Sequence, residues 1–352
     1  MVRHQDHASH HHQGHGGPRR LLSGLVLVLA ACAAFLLTGG APARAAEPSR
    51  PFLAYHASWY EVQTSVAADT SLARLPGYIT HVALSFVKPD LVYVGDLDLK
   101  GTGLLYPFSG AVLKQAVALL KARHPGIKVL ISVGGWGYFG WDKLDAPALA
   151  RLVRDLGADG VDVDYETPDP ACVARGDGMA CPGDARSISV IEQVRKVLPR
   201  PFVVSVAGWS VGAYGAGDFR ASAPRSPWTG SILALLAAPV AAEIDLVSIM
   251  SYDAGPRYRP QEAFRAYRRL WKGPLMLGVP VMPSESGGPR FTVDYTRRML
   301  DSVTADPRAG AMLYAVRLTP PGVIGPDNPD DRYLAATICM ALALADCSAP
   351  MP

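Results

Sequence analysis

The chain beyond residue 46 alternates two patterns of apolar residues. Short runs rich in β-branched and aromatic residues are typical of buried strands, whereas longer segments with apolar residues every three or four positions are typical of amphipathic helices. Eight strands are predicted, at 51–57, 78–87, 127–135, 160–166, 201–208, 244–253, 274–282 and 309–316.

Segments with helical periodicity lie between and after these strands. They span 109–124, 146–157, 185–198, 229–239, 260–271, 293–303 and 332–344. A further helix is expected in the first crossover, near residues 71–75, where the pattern is weakest. Eight parallel strands, each followed by a helix through a right-handed crossover, specify a closed barrel more readily than an open sheet. We therefore predict the α/β fold class and a (βα)8, or TIM, barrel.

Composition agrees with one large domain. Hydrophobic residues make up 49% of the 352 residues and charged residues 18%, which is enough for a sizeable core. No long linker and no change in composition follows residue 46. The prediction is a single barrel domain over residues 46–352.

Residues 1–45 are predicted to be a His-rich leader with a cleaved secretory signal. Arg19 and Arg20 precede an apolar run at 21–37, and small residues near Ala45 form the cleavage site. The histidines resemble a metal-binding tract, but they lie in a leader that is removed. The protein is therefore expected to be secreted or periplasmic.

Two alternatives for this leader stay open. "LAAC", which ends at Cys32, resembles a lipoprotein cleavage box, but the chain stays apolar beyond it. An uncleaved anchor is disfavoured because the apolar run is barely long enough to span a bilayer.

Charge disfavours some classes of partner. Residues 1–45 hold four of the 34 basic residues and one of the 31 acidic residues, which leaves 30 of each in the remainder. A neutral chain without a basic cluster is not expected to bind nucleic acid or an anionic membrane. An uncharged substrate fits better. No protein partner is implied, and a monomer is expected.

Four cysteines remain beyond the leader, in two close pairs. An even number in an exported chain predicts disulfides, Cys172 with Cys181 and Cys339 with Cys347. Zinc is the alternative, but neither pair has the short spacing or the nearby histidines that zinc prefers.

The fourth predicted strand carries an unusual column of acids. In "DGVDVDYE", at 159–166, alternation places Asp162, Asp164 and Glu166 on one face and two valines and a tyrosine on the other. Asp159 is out of phase and is expected where the strand begins. Several carboxyl groups in a low-dielectric interior cannot all be ionised cheaply, so at least one should hold a proton. A protonated carboxyl group at the mouth of a barrel suits a general acid.

The acids have two other interpretations, a calcium-binding loop and a structural cluster without chemistry. A calcium loop is polar and turned by glycine, whereas valines fill the alternate positions here, so no metal is predicted. A structural cluster of acids without chemistry stays open, because ion-pair networks also perturb pKa values.

These residues resemble a known family. "DGVDVDYE", including Gly160, resembles the DxxDxDxE motif of family 18 glycoside hydrolases, the chitinases and endo-β-N-acetylglucosaminidases. "SVGG" at 132–135 resembles the family's SxGG motif, and "MSYD" at 250–253 resembles its MxYD motif. The resemblance extends from residue 51 to residue 345.

The resemblance implies a mechanism in which the substrate's own acetamide group attacks the sugar. Glu166 would donate a proton to the glycosidic oxygen, and Asp164 would accept the acetamide N–H. Asp162 would share the proton of Asp164. Tyr252 would donate its hydroxyl to the acetamide carbonyl, while Asp253 would contact the sugar or the acids. No cofactor is implied.

The other motif positions have plainer expected roles. Ser132, Gly134 and Gly135 are expected to shape the floor of the cleft near Asp162. Met250 is grouped with the substrate-binding residues as part of the MxYD motif.

Aromatic side chains near predicted strand ends are candidates for stacking on sugar rings, although a single such residue more often belongs to the core or rim. They are Tyr55, Trp59, Trp136, Tyr138 and Trp209, with Trp136 the strongest candidate.

The chain departs from the family pattern on strand eight. The resemblance implies a tryptophan beneath the cleaved sugar, but the register places Tyr314 there, which offers less stacking area. Residues 282–309 are too few for the α+β insertion domain of some members. A shallow groove that favours internal cleavage is therefore expected.

The predicted function is hydrolysis of β-1,4 linkages that follow N-acetylglucosamine in chitin or chito-oligosaccharides. The same residues could act on the chitobiose core of N-glycans or on peptidoglycan-type polymers. A non-catalytic, lectin-like barrel is the alternative from another class, and the presence of Glu166 disfavours it.

Overall fold

The computed structural model describes residues 50–352, in which eight parallel strands close into a barrel. The strands, numbered along the chain, are β1 (Phe52–Ala57), β2 (His81–Val87), β3 (Lys128–Gly134), β4 (Gly160–Asp164), β5 (Val173–Arg175), β6 (Gly178–Ala180), β7 (Val203–Trp209), β8 (Leu246–Met250), β9 (Leu275–Pro280) and β10 (Ala309–Val316). Strands β5 and β6 form a separate antiparallel hairpin, and the other eight pair in chain order until β10 closes on β1. The predicted barrel is confirmed.

Each predicted barrel strand is present, but some end earlier than expected. Strand β4 ends at Asp164, so Glu166 lies in the following loop instead of in the strand. Strand β8 covers only Leu246–Met250 of the predicted 244–253. Parallel strands expose their carboxyl ends at one rim of the barrel, so both shortened strands release motif residues into the loops of that rim.

Seven α-helices surround the barrel in residues 50–352. They are α1 (Gly110–Arg123), α2 (Ala146–Leu156), α3 (Asp184–Val197), α4 (Leu233–Ala237), α5 (Pro260–Leu270), α6 (Val293–Asp301) and α7 (Asp331–Ala341). Side chains that accept backbone N–H groups mark where several begin, as Ser109 does for α1 and Asp145 for α2. Only α6 lies between β9 and β10, so no α+β domain is inserted there.

The prediction of a helix in the first crossover was wrong. Three short 3-10 turns, Ser58–Tyr60, Ala67–Asp69 and Leu72–Arg74, connect β1 to β2. The hydroxyl of Thr70 donates to the Ala67 carbonyl and accepts the Ala73 N–H at 3.1 Å. Such local side-chain bonds satisfy the backbone in turns and compete with a helix.

A buried polar network ties this crossover to β1. The ring of His56 lies 2.8 Å from the hydroxyls of both Ser71 and Tyr106. Ser71 in turn donates its backbone N–H, at 3.0 Å, and its hydroxyl, at 2.6 Å, to the Glu61 carboxylate. Burial alone would raise the pKa of Glu61, but hydrogen bonds from His56 and Ser71 lower it to about 2.

Both predicted disulfides are present. Cys172–Cys181 brackets the β5–β6 hairpin, and Cys339–Cys347 joins α7 to the C-terminal segment. Within residues 50–352, no helix is long and apolar enough to cross a membrane. The predicted signal, with Cys32 and the cleavage site near Ala45, lies outside the described residues.

Candidate active site

The predicted acids meet at the carboxyl end of β4. Asp162 and Asp164 are buried in the barrel interior, and Glu166, in the next loop, is only 6% exposed. On the neighbouring strand β3, Ser132 lies opposite Asp162 and Gly134 opposite Asp164. Three acids in such a small water-poor volume cannot all carry charge without a large electrostatic penalty.

Two hydroxyl groups hold the lowest acid of the column. Tyr55 donates to Oδ2 of Asp162 at 2.7 Å, and Ser132 donates to the same oxygen at 2.8 Å. Burial raises the pKa of Asp162, and these hydrogen bonds oppose that rise. Tyr55 itself is 1% exposed, so its ring is covered in this structure and its hydroxyl faces the acids.

Asp164 is the acid whose ionised form is most strongly disfavoured by its surroundings. Its pKa is raised well above the ordinary range, first by burial and then by the nearby charges of Glu166 and Asp162. The Oδ1 atoms of Asp162 and Asp164 are buried with no hydrogen-bond partner in residues 50–352. A proton held by this pair would relieve both the repulsion and the unpaired oxygens.

The SxGG motif brings the β3 backbone against β4. The N–H of Gly135 donates to the Asp164 carbonyl at 2.9 Å. Gly134 has a φ of +100°, and a Cβ atom there would collide with that carbonyl and with the ring of Trp141. Only glycine fits such an approach, which explains why the turn beside the acids has this sequence.

Glu166 is placed to hold a proton near neutral pH. Burial raises its pKa to about 8, the negative charge of Asp253 contributes in the same direction, and the backbone N–H of Trp136 opposes both. The indole N–H of Trp141 donates to the Glu166 carbonyl at 2.9 Å and fixes the loop. A carboxyl group that stays protonated at the mouth of a barrel is suited to general acid chemistry.

The rings of Tyr252 and Tyr314 pack against each other beside these acids. The ring of Tyr252 stacks on Tyr314 with centroids 6.0 Å apart, and Tyr314 meets Tyr55 edge to face at 5.6 Å. Burial is the largest cause of the raised pKa values of Tyr252 and Tyr314, followed for both by nearby acidic or phenolic groups. Both hydroxyls therefore stay protonated and can donate to a carbonyl oxygen.

Asp253 completes the site from the loop after β8. It adopts a left-handed φ of +52° and is exposed, unlike the three acids of the column. Its Oδ1 accepts the hydroxyl of Ser284 and the backbone N–H of Glu285, each at 2.8 Å. Neither Ser284 nor Glu285 belongs to the motifs found in the sequence.

The family to which this arrangement belongs follows from comparison with known proteins. The sequence model of glycosyl hydrolases family 18 matches residues 52–299, which include all three motifs. The chain belongs to glycosyl hydrolase family 18. The predicted family, and with it the predicted class of glycosidases, is confirmed at this level.

Individual relatives of this family 18 chain are distant. It is 29% identical over 227 residues to chitinase B of Serratia marcescens, covering 56% of this chain and 41% of that protein. It is 36% identical over 124 residues to a chitinase of Plasmodium falciparum, covering 32% of this chain and 31% of that protein. The chain thus spans less than half the length of the curated relatives it matches.

A solved chitinase structure has the same fold. The group IV chitinase of Ostrinia furnacalis, in complex with allosamidin, superposes with a TM-score of 0.57 at 14% identity. The match covers 84% of this chain and 99% of that one. At this identity the likeness extends to the barrel alone.

The remaining aromatic candidates of this family 18 barrel lie in different surroundings. Trp136 is 66% exposed and meets Phe139 edge to face. Trp209 is partly buried and stacks on Trp228 with centroids 3.8 Å apart. Met250 ends β8 and is buried in the core.

Two further aromatic candidates lie near β2. Trp59 is partly exposed and stacks on Phe86 at 5.9 Å, and Phe86 in turn lies 6.4 Å from Tyr314. Tyr138 donates its hydroxyl to the Gly103 carbonyl at 3.0 Å. Trp59 and Trp136 therefore keep ring surface open to solvent, as a sugar-stacking side chain requires.

Asp159 and Gly160 lie at the opposite end of β4 from Glu166. Asp159 pairs with Lys121 at 2.9 Å and accepts the backbone N–H of Val129. Gly160 packs so closely on Val203 that a Cβ atom would collide with its backbone. Both residues contact the structural frame and none of the acids described above.

Residues 50–352 contain no group of three or more His, Cys, Asp or Glu side chains that could hold a metal ion. Within the acid column, the Oδ2 atom of Asp162 accepts hydrogen bonds from the hydroxyls of Tyr55 and Ser132.

Proposed function

We propose that this family 18 barrel hydrolyses β-1,4 linkages that follow N-acetylglucosamine in chitin or chito-oligosaccharides. The observation that carries the proposal is the buried Glu166, with a pKa raised to about 8, whose charge acts on the buried Asp164 of strand β4. The two curated relatives, both called chitinases, support the choice of substrate.

The first step is proton donation coupled to internal attack. Glu166 gives its proton to the glycosidic oxygen, and the bond from that oxygen to the anomeric carbon breaks. The carbonyl oxygen of the substrate's 2-acetamido group forms a new bond to the same carbon, which gives an oxazolinium ion. No protein carboxylate needs to attack the sugar.

The neighbours of Glu166 orient and stabilise the acetamide group. Asp164 accepts its N–H and offsets the positive charge, while Asp162 takes the proton that the pair shares. The Tyr252 hydroxyl donates to the acetamide carbonyl and holds it in line with the anomeric carbon. Tyr314 supplies ring surface beneath the sugar.

The second step restores the enzyme. Water attacks the anomeric carbon, the Glu166 carboxylate accepts its proton, and the bond to the acetamide oxygen breaks. Because two inversions occur at one carbon, the product keeps the original anomeric configuration.

A Glu166→Gln variant tests the proposal on chito-oligosaccharides of four to six sugars. Glutamine cannot donate the proton, so kcat is expected to fall at least about 10³-fold. Glu192→Gln is the matched control, because Glu192 is exposed on helix α3. Unchanged turnover in Glu166→Gln, or an inverted anomer seen first by NMR, would contradict the mechanism. N-glycans and muropeptides tested in parallel would identify a different polymer.

We also propose that the protein is exported. The predicted leader supports this, and so do the two disulfides, since such bonds persist in oxidising compartments. The intact mass of the mature protein tests it. Cleavage near Ala45 gives an unmodified chain, whereas processing at Cys32 gives a lipid-modified one.

A further inference from the structure

The loop that follows β9 contacts Asp253 through several hydrogen bonds. We call residues 283–288 the clasp loop. Ser284 donates its hydroxyl to Asp253 Oδ1 at 2.8 Å and accepts the Asp253 N–H at 3.1 Å. The backbone N–H of Glu285 donates to the same carboxylate oxygen at 2.8 Å.

The clasp loop also closes on itself around Ser284. The Ser284 hydroxyl lies 2.9 Å from the Gly287 carbonyl, and the Gly287 N–H donates to the Ser284 carbonyl at 3.2 Å. Gly287 and Gly288 both have left-handed φ angles, which allow so tight a turn. Ser284 therefore lies at the centre of a compact loop and also contacts Asp253.

Asp253 depends on this loop for its position. Its left-handed φ of +52° is unfavourable for a residue with a side chain, and its exposed carboxylate is not confined by core packing. Within residues 50–352, the hydrogen bonds of Asp253 are all made with the clasp loop, and two of them involve the Ser284 hydroxyl, once as acceptor and once as donor.

We propose that Ser284 is a positioning residue that fixes the Asp253 carboxylate in the active site and thereby sets the pH at which Glu166 loses its catalytic proton. This inference rests on the proposed role of Glu166 as the general acid. Ser284 lies outside the three motifs, in a different loop of the barrel.

The electrostatic reason is the repulsion between like charges. A carboxylate near Glu166 disfavours its ionised form, so loss or displacement of that carboxylate lowers the pKa of Glu166. Other groups that face Glu166 are Asp164 on β4, the Trp136 N–H, and the hydroxyls of Tyr252 and Tyr314.

The clasp loop acts on Asp253 and not on those other groups. Asp253 itself is faced by Tyr252, Tyr314 and Glu285. The Glu285 carboxylate adds negative charge to the exposed side of the loop, but only its backbone N–H contacts Asp253. Of the groups that surround Glu166, Asp253 is therefore the one whose place depends on Ser284.

The test is the pH dependence of kcat/KM on a soluble chito-oligosaccharide, whose basic limb reports the general acid of the free enzyme. Ser284→Ala is expected to move that limb down by roughly 0.5 pH unit, because the Asp253 carboxylate that acts on Glu166 is no longer held in place. Asp253→Asn should move it at least as far. The double variant should move it no further than Asp253→Asn alone.

Ser286→Ala is the matched control. Ser286 is exposed in the same loop, and its side chain makes no hydrogen bond within residues 50–352. The basic limb of the pH profile of Ser286→Ala should coincide with that of the unaltered protein. Should Ser284→Ala not fold, as judged by circular dichroism, Ser284→Gly lacks the same hydroxyl and serves the same comparison.

Two results would overturn the inference. One is a basic limb that stays in place in Ser284→Ala while kcat falls, which would make the loop merely structural. The other is a further downward shift when Ser284→Ala is added to Asp253→Asn, since Ser284 would then act by another route. Failure of the proposed function is separate, because it would appear as full activity in Glu166→Gln.

Discussion

The hydroxyl of Tyr55 lies 2.7 Å from Oδ2 of Asp162, at the lower end of the acid column. The two residues are 107 positions apart in the sequence and meet because β1 and β4 both face the barrel interior. A buried tyrosine beneath a buried acid orients that acid, and it can do so without touching the substrate.

Tyr55→Phe should slow turnover while leaving substrate affinity almost unchanged. A hydrogen bond to a charged group is worth about 1.5 to 3 kcal/mol, so the loss is expected to lower kcat roughly tenfold to a hundredfold. Steady-state kinetics on a chito-oligosaccharide measure it. Tyr333→Phe is the control, since Tyr333 is exposed on α7. A raised KM with normal kcat would instead indicate that Tyr55 binds substrate directly.

Glu166→Gln should stabilise the protein at alkaline pH. The folded-state pKa of Glu166 is about 8, above its ordinary value, so the native state binds a proton that the unfolded state has released. Stability therefore falls as pH rises from the ordinary pKa of glutamate to about 8. Glutamine has no charge to bury. The free energy of unfolding of the variant, relative to that of the unaltered protein, is therefore expected to be roughly 2 to 4 kcal/mol higher at pH 9 than at pH 4.

Urea denaturation at both pH values measures this difference. Glu192→Gln, on the surface of α3, should show no such dependence. Equal stability of Glu166→Gln and the unaltered protein at pH 9 would mean that Glu166 ionises there without penalty. The general-acid role would then lose its electrostatic basis.

The strand pattern of the sequence predicted the barrel and most of the acid column. Alternation placed Asp162 and Asp164 on one face because a strand has a strict period of two, and both side chains are buried in the interior. Strand ends were less predictable. Glu166 leaves the strand because β4 ends at Asp164, where hydrogen bonds from Gly135 and Trp141 take over.

Contacts between distant loops left no periodic signal. Ser284 lies in a polar loop whose residues follow no apolar pattern, and its bond to Asp253 crosses 31 positions. The 3-10 turns of the first crossover depend likewise on individual hydroxyl bonds at Thr70 and Ser71. Tyr55 is an intermediate case. The strand that carries it was predicted, but its hydrogen bond to Asp162 was not.

Removing the Cys172–Cys181 disulfide should impair catalysis more than removing Cys339–Cys347. The first bond closes the β5–β6 hairpin in the loop that contains Glu166, and Cys172 donates its N–H to the Pro227 carbonyl at 3.0 Å. The second lies beyond α7, near the C-terminus. Loss of either short disulfide loop is expected to cost about 2 to 3 kcal/mol of stability.

The comparison uses the two double Cys→Ser variants below their melting temperatures. Cys172→Ser/Cys181→Ser should lose activity at temperatures where it is still folded, because the loop that carries Glu166 is less fixed. Cys339→Ser/Cys347→Ser should lower Tm by a similar amount and keep kcat. Equal activity in both variants would show that the hairpin does not help to position the acid.

Substitutions at Tyr314 should separate ring stacking from hydrogen bonding. Its ring packs on Tyr252 at 6.0 Å and is partly exposed, so part of its surface is open to solvent. Tyr314→Phe keeps this surface and should retain activity within about threefold, whereas Tyr314→Ala should raise KM roughly tenfold, since stacking is worth about 1 kcal/mol or more. The KM and kcat for oligosaccharides of four to six sugars measure both effects.

Tyr314→Trp is the informative variant in the opposite direction. Tryptophan offers more stacking area, so KM should fall a few-fold if the larger ring fits between Tyr252 and Tyr55. Tyr333→Phe again controls for a change at an exposed tyrosine. An unchanged KM in Tyr314→Ala would remove Tyr314 from the substrate site. The preference for one GlcNAc polymer would then have to come from exposed rings such as Trp136 and Trp59.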